Sequence, residues 1–276
     1  MTTDSSVISS QSNPALANKL AAEAMASAEK EVVSQPVKVA ADLPPDLTVE
    51  LPGGLYNPFD GVTTTAEVRE LNGADEEAIA RIADAGKALI TILERATVKI
   101  GDKKADQETL DLLLAGDREM LLLAIRKATF GNEVILGPGE CPDCGEEQTF
   151  IVDLSKDVEI KKLKDEDRQF TVDCKVGKVA VMLPTGFVQK SIISSGNKNA
   201  AELDTILLKG CITSINGSPL ITIDTVKNLS LKDRRTLITE IINKNPGPQL
   251  AQITKTCTAC GTEVPLPLTL ADLFRE

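Results

Sequence analysis

Two five-residue stretches constrain this chain more than anything else in it: C-P-D-C-G at 141–145 and C-T-A-C-G at 257–261. Each is a CxxC turn followed by glycine, a form that brings two sulfurs onto one ion. The glycine can take the positive φ that lets backbone N–H groups point at the thiolates. One such knuckle supplies two ligands, and a closed tetrahedral zinc site needs four. Cys144 and Cys257 are separated by 112 residues, against roughly 15–20 between the pairs of an ordinary zinc ribbon.

The long gap has an internal explanation. Sliding the chain against itself by 116 residues lays Cys141 and Cys144 on Cys257 and Cys260, and Asp117-Arg118 on Asp233-Arg234. The same register matches Leu121 with Leu237, Ile125 with Ile241, Gly131 with Gly247, Gly145 with Gly261, Glu147 with Glu263 and Leu154 with Leu270. Outside the two cysteines, 8 of 36 positions from 117 to 154 are identical, where ordinary composition gives about two. Upstream, Val68-x-x-Leu71-x-Gly73 corresponds more loosely to Val181-x-Leu183-x-x-Gly186. The expected fold is therefore α+β, built as two related halves joined by a zinc-ribbon-like site. Cys141, Cys144, Cys257 and Cys260 would share one structural Zn²⁺ with no open coordination position. A redox dithiol and an iron–sulfur centre are the other readings of such cysteines. The first usually opens a helix in a βαβ unit, and the second uses more clustered spacing.

The division that follows is a mobile N-terminal arm at 1–46, a first half at 47–155, a charged linker at 156–169 and a second half at 170–276. The arm is rich in Ser, Ala, Gln, Lys and Glu, with a weakly apolar helical stripe over Ala15–Val33. Residues 48–61 predict an extended lead-in with turns at Pro52–Gly54 and Asp60-Gly61. In the first half, a strand is predicted over Thr65–Leu71 and a helix start at Asn72–Asp75. Helices follow over Glu76–Ala96, Gln107–Leu114 and Asp117–Phe130, and strands at Glu133–Leu136 and Gln148–Leu154 flank the knuckle. The second half predicts strands at Phe170–Cys174 and Lys178–Leu183, and helices at Gly186–Ser195, Ala201–Thr213 and Leu231–Asn243. Strands near Leu250–Thr254 and Glu263–Leu268 bracket the second knuckle. Ser230–Asp233 reads as a capping box. Asp75-Glu76-Glu77 reads as a helix start complementing its dipole, and Asp165–Asp167 as a solvated loop. Cys174 and Cys211 read as small core hydrophobes.

Composition narrows the chemistry. The chain has no His, which removes imidazole acid/base catalysis, Ser-His and Cys-His nucleophiles, and imidazole metal ligands. No GxxxxGK[ST], GxGxxG after a strand, or GxSxG is present, so no enzyme and no small-molecule substrate are expected. A net charge of −11 and seven aromatic residues argue against nucleic acid. No stretch approaches the roughly 18 apolar residues of a membrane span, and the start lacks a secretory pattern. A reducing cytoplasm is the expected setting, where CxxC pairs read as metal ligands.

The order of features resembles a known family. V-R-E-L (68–71), G-A-D-E-E-A-I (73–79), L-A-G-D-R-E-M-L-L-L-A-I-R (114–126) and F-G-N-E-V-I-L-G-P-G-E-C-P-D-C-G (130–145) are similar to the baseplate hub assembly proteins of contractile-tailed bacteriophages. So are V-D-L-S (152–155), L-P-T-G (183–186) and the terminal knuckle with L-A-D-L-F (270–274). The resemblance covers roughly residues 50–276. It implies a late phage protein acting as a hub component or assembly factor in the host cytoplasm, with the virion baseplate as a further location. Its partners would be other tail and baseplate hub proteins, and the four cysteines transfer as metal ligands. The alternative is a zinc-ribbon adaptor in transcription or nucleic-acid handling.

Overall fold

A computed structural model describes residues 47–274 except 60 and 197, and these residues belong to one compact unit. The N-terminal arm expected over 1–46 lies outside the described residues.

Strands β1 (Leu47–Asn57) and β2 (Gly61–Val68) pair antiparallel. Helices α1 (Gly73–Ala80) and α2 (Ala85–Ala96) follow. Next, β3 (Thr97–Ile100) and β4 (Lys103–Lys104) complete a four-stranded sheet in the order β1-β2-β3-β4. Helices α3 (Gln107–Leu112) and α4 (Ala115–Phe130) lead into a hairpin of β5 (Glu133–Glu140) and β6 (Glu147–Asp153), with the first knuckle at its tip. After β7 (Ile160–Lys161) the order recurs. Strands β8 (Gln169–Cys174) and β9 (Gly177–Met182), helices α5 (Gly186–Ile193) and α6 (Ala200–Cys211), and β10 (Ile212–Ile215) form the second block around a three-stranded sheet. Helices α7 (Ile223–Lys227) and α8 (Leu231–Lys244), strand β11 (Gly247–Pro248), a hairpin of β12 (Thr254–Thr256) and β13 (Glu263–Pro265), and a 3-10 turn at Asp272–Phe274 follow.

The helix starts correspond in pairs: N-caps Asn72 and Thr185, Asp84 and Asn199, Asp106 and Thr222, Leu114 and Ser230. The buried polar contacts correspond as well. Arg118 Nη1 donates to the Leu110 carbonyl at 2.7 Å, and Arg234 Nη1 to the Val226 carbonyl at 3.2 Å. Asp117 accepts the Gly53 N–H at 2.7 Å, and Asp233 accepts the Lys175 N–H at 2.8 Å.

Among the described residues three larger apolar cores hold the fold, beside a small cluster at the knuckles. The first joins Val49, Leu51, Ala66 and Val68, alternating along β1 and β2, to Ile92, Leu93, Leu121 and Ile125 on α2 and α4. The second joins Val172, Val179 and Val181 to Leu208, Cys211, Leu237 and Ile241. The third lies between the two knuckle hairpins: Val134 and Val152 from one, Leu250, Ile253 and Leu268 beside the other. This third core sets the hairpins against each other.

Several expectations from sequence are corrected. The charged stretch 156–169 is tied into the fold along its length. Its β7 pairs with β11, Leu163 N–H donates to the Pro52 carbonyl at 2.9 Å, and Asp167 pairs with Lys244. Its charges serve both blocks alternately, so no single period marks it. The helix predicted over 76–96 breaks, because the Asp84 carboxylate accepts the Lys87 N–H at 2.8 Å and starts a new helix. The turn at Pro52–Gly54 is absorbed as a bulge within β1, with Gly54 at φ 71°. The strand at 65–71 begins earlier, at Gly61. The helix over 201–213 stops at Cys211, since Ile212 enters a strand against Val181. Leu250–Gln252 is a 3-10 turn rather than a strand. Asp75 sits in the first turn of α1 as expected and completes the Asn72 capping box, and it is also fully buried, 2.7 Å from Arg69 and 2.6 Å from Arg95. The Ser230 box is only half made, since Ser230 accepts from Asp233 N–H but the Asp233 carboxylate goes to Lys175.

Glu119 carries a consequence for stability. It lies half-buried in a crevice lined by Leu89, Ile90, Leu93, Ile192 and Ile193, with no partner among the described residues. Burial pushes its carboxyl from 4.5 up to about 7. Folding therefore penalises the ionised form. The penalty is absent below the unfolded value near 4.5 and is complete above about 7. Glu119→Gln is expected to stabilise the protein by about 2 kcal/mol at pH 8, after discounting for the part of the side chain that water reaches, and by little at pH 5. Calorimetry at the two pH values checks this; equal shifts at both would contradict it.

Candidate metal centre

Each knuckle is shaped by its own backbone. Gly145 N–H donates to the Cys141 carbonyl at 2.9 Å, and Cys141 N–H to the Glu146 carbonyl at 2.9 Å. The second knuckle repeats this, with Gly261 N–H to the Cys257 carbonyl at 2.9 Å and Cys257 N–H to the Thr262 carbonyl at 2.8 Å. Gly145 and Gly261 have φ 72° and 77°, the left-handed conformation that closes such a turn.

The two knuckles meet. The four sulfurs lie within 4.8 Å of one another. Two close separations run from one knuckle to the other: Cys141 Sγ to Cys260 Sγ is 3.7 Å, and Cys144 Sγ to Cys257 Sγ is 3.8 Å. A tetrahedron with metal–sulfur bonds of about 2.3 Å has edges of about 3.8 Å. Burial alternates in step, with Cys141 and Cys257 buried and Cys144 and Cys260 exposed. Phe150 and Val264 close the apolar side of the cluster. All six cysteines are free; Cys211 is in the second core, as expected, and Cys174 is only partly covered.

Crowding of four sulfurs separates their proton affinities. Cys257 is lowered to about 6, first by the Cys260 N–H aimed at it, then against burial by the Ala259 N–H and the Gln148 amide. At Cys144 the Glu146 N–H favours the thiolate, but burial and the three neighbouring sulfurs outweigh it and push the thiol up to about 12. Four thiolates at this distance require a cation between them, and binding one releases protons.

Two residues at the centre carry no sequence signal. Gln148 donates from Nε2 to Cys257 Sγ at 2.9 Å and accepts from Thr258 N–H at 3.2 Å and Thr258 Oγ1 at 3.0 Å, a clamp from one hairpin onto the opposite knuckle. Thr262 Oγ1 donates to Asp143 Oδ2 at 2.9 Å, crossing the other way. Both are short-range partners only after folding, 110 and 119 residues apart in sequence.

Among the described residues no other group of three or more Cys, Asp or Glu is placed to hold an ion, and no helix is long and apolar enough to cross a membrane. Residues 56–222 match the family described as T4 bacteriophage base plate protein. That span covers more than half of the chain, and the protein belongs to this family of phage baseplate proteins. The match takes in the first knuckle and ends before the second. No curated protein and no solved structure matches the chain.

Proposed function

We propose that this baseplate protein works at the hub of the tail, as a hub component or assembly factor acting through protein–protein contacts, and that its four cysteines hold one structural Zn²⁺. The observation that carries the metal reading is the cross-half approach of sulfurs at 3.7 and 3.8 Å, the edge length that zinc thiolate geometry requires. Four thiolates leave no coordination position for substrate, so the ion acts as a clamp and not as a catalyst.

We also infer that the two halves descend from one duplicated unit. The recurring element order, the paired N-caps, and the Asp117-Arg118 and Asp233-Arg234 contacts support this. Each arginine reaches the carbonyl eight residues before it, and those carbonyls are themselves 116 residues apart.

The adaptor alternative draws no support from the site's surface. Glu140, Asp143, Glu146 and Glu147 surround the first knuckle, so a phosphate backbone would meet negative charge there. Assembly in the host cytoplasm follows from the baseplate role. The test is to raise particles carrying an epitope-tagged chain and locate the tag. Tag at the baseplate hub of mature particles, or co-purification with hub proteins from assembly intermediates alone, agrees with the proposal; tag confined to the baseplate periphery would contradict it.

A further inference from the structure

Helix α5 belongs to the second half in sequence yet packs against the first. A Cβ added to Gly186 would meet the Asp111 Cα at 2.8 Å and the Leu110 carbonyl at 2.9 Å. One turn later, Lys190 Nζ reaches Asp111 at 2.9 Å and Glu94 at 3.3 Å. After another turn, Ile193 presses on Gly86 of α2, where an added Cβ would lie 2.9 Å from it. Gly186, Lys190 and Ile193 form one helical stripe, seated on α2 and α3.

Both sides of that contact have counterparts, and in both the charge is inverted. The counterpart of α5 is α1, where the stripe reads Gly73, Glu77 and Ala80. The counterparts of the receiving Glu94 and Asp111 are Lys209 on α6 and Lys227 on α7. The α1 stripe is bare. All three residues are exposed, and a Cβ on Gly73 would meet nothing within 4 Å. Glu77 has only a 3.7 Å contact with Arg81, both side chains about four-fifths exposed. Lys209 and Lys227 are exposed too, and neither has an ion-pair partner among the described residues, in a chain of net charge −11. They border a groove of about 600 Å³ between α5, α6 and α7, with Phe187, Val188, Ile206 and Ile223 on its walls. Phe187 and Ile223 are half exposed there.

We propose that this groove receives helix α1 of a second copy of the chain, with Glu77 seated between Lys209 and Lys227. The contact that α5 makes inside one chain is thereby repeated between chains with its charges exchanged. Such an interface is head-to-tail, using different surfaces on the two copies, and it generates a ring or an open chain according to its rotation. Opposite charges at its centre fix the register and exclude α1 from the acidic face already occupied by Lys190. The proposal rests on the correspondence between the halves, and on neither the metal nor the hub role.

Sedimentation velocity of the full chain over a concentration series tests it. The mass of the wild type is expected to rise above the 29.4 kDa monomer with concentration. Glu77→Lys is expected to weaken association at least about tenfold, as is the double variant Lys209→Glu/Lys227→Glu. An equimolar mixture of the two should associate again, because the introduced lysine then faces the introduced glutamates. Gly73→Leu, which has open space around it within one chain, should weaken association without lowering Tm. A wild type that stays monomeric throughout, or variants that associate as the wild type does, would overturn the proposal. A monomeric wild type that still holds one metal would do so while leaving the clamp intact.

Discussion

Stripping the metal with a chelator, or replacing Cys141 with Ser, is expected to lower Tm by about 10 °C or more. The third core depends on the two knuckle hairpins being held together, and the second of them is slight. The second has strands of three residues, and an isolated two-stranded hairpin is marginal in water. A structural zinc in a small peptide supplies roughly 10–16 kcal/mol of apparent binding energy that appears as folding energy. Here the first and second cores persist without it, so only part is felt globally. A loss of about 4 kcal/mol corresponds to roughly 8–16 °C for a chain of this size. Cys141 is 2% exposed, so its serine variant also leaves a hydroxyl among sulfurs and apolar groups. Cys174→Ser, at a partly covered strand end away from the cluster, is expected to leave both metal and Tm unchanged. Equal Tm for wild type and Cys141→Ser would contradict the clamp.

Gly116→Ala is expected to destabilise the protein by about 3 kcal/mol or more. In an ordinary helix this substitution gains stability, since glycine costs roughly 0.5–1 kcal/mol relative to alanine. Geometry reverses the sign. A Cβ on Gly116 would lie 1.8 Å from the Pro246 carbonyl oxygen and 2.5 Å from its carbon. Gly247 on the other side has φ 114° and would place its own Cβ 2.8 Å from the Gly116 Cα. Both surfaces are backbone, so no side chain can rotate away. This is where α4 touches β11, and any relief must move one backbone segment against the other. Chemical denaturation of the variant checks the expectation; a neutral or stabilising result would show that α4 and β11 shift freely at this contact.

The meeting of the four cysteines was legible in sequence because they fall in two identical CxxCG frames, and the 116-residue register carries one frame onto the other. Asn72 and Asp75 also declared a helix start, which the structure places there as a full capping box. What stayed hidden were features whose partners are distant. The strands Thr97–Ile100 and Ile212–Ile215 each look like the tail of a helix, and only pairing with β2 and β9 pulls them straight. The burial of Asp75 carried no local signal, because its partners Arg69 and Arg95 arrive from a strand end and another helix. Gln148 has no local pattern that would mark it, and its role appears only when the opposite knuckle lands beside it. The charged stretch 156–169 reads as solvated for the same reason: its ion pairs and carbonyl partners belong to two different blocks.

One ion shared between knuckles that begin 116 residues apart has a definite stoichiometry. Native mass spectrometry of zinc-loaded protein tests it on the wild type and on the double variants Cys141→Ser/Cys144→Ser and Cys257→Ser/Cys260→Ser. The expected result is one zinc per wild-type chain and none in either double variant, because two sulfurs of a single knuckle cannot close a tetrahedral site. Two zinc ions per wild-type chain, or a full equivalent retained after either knuckle is removed, would contradict it.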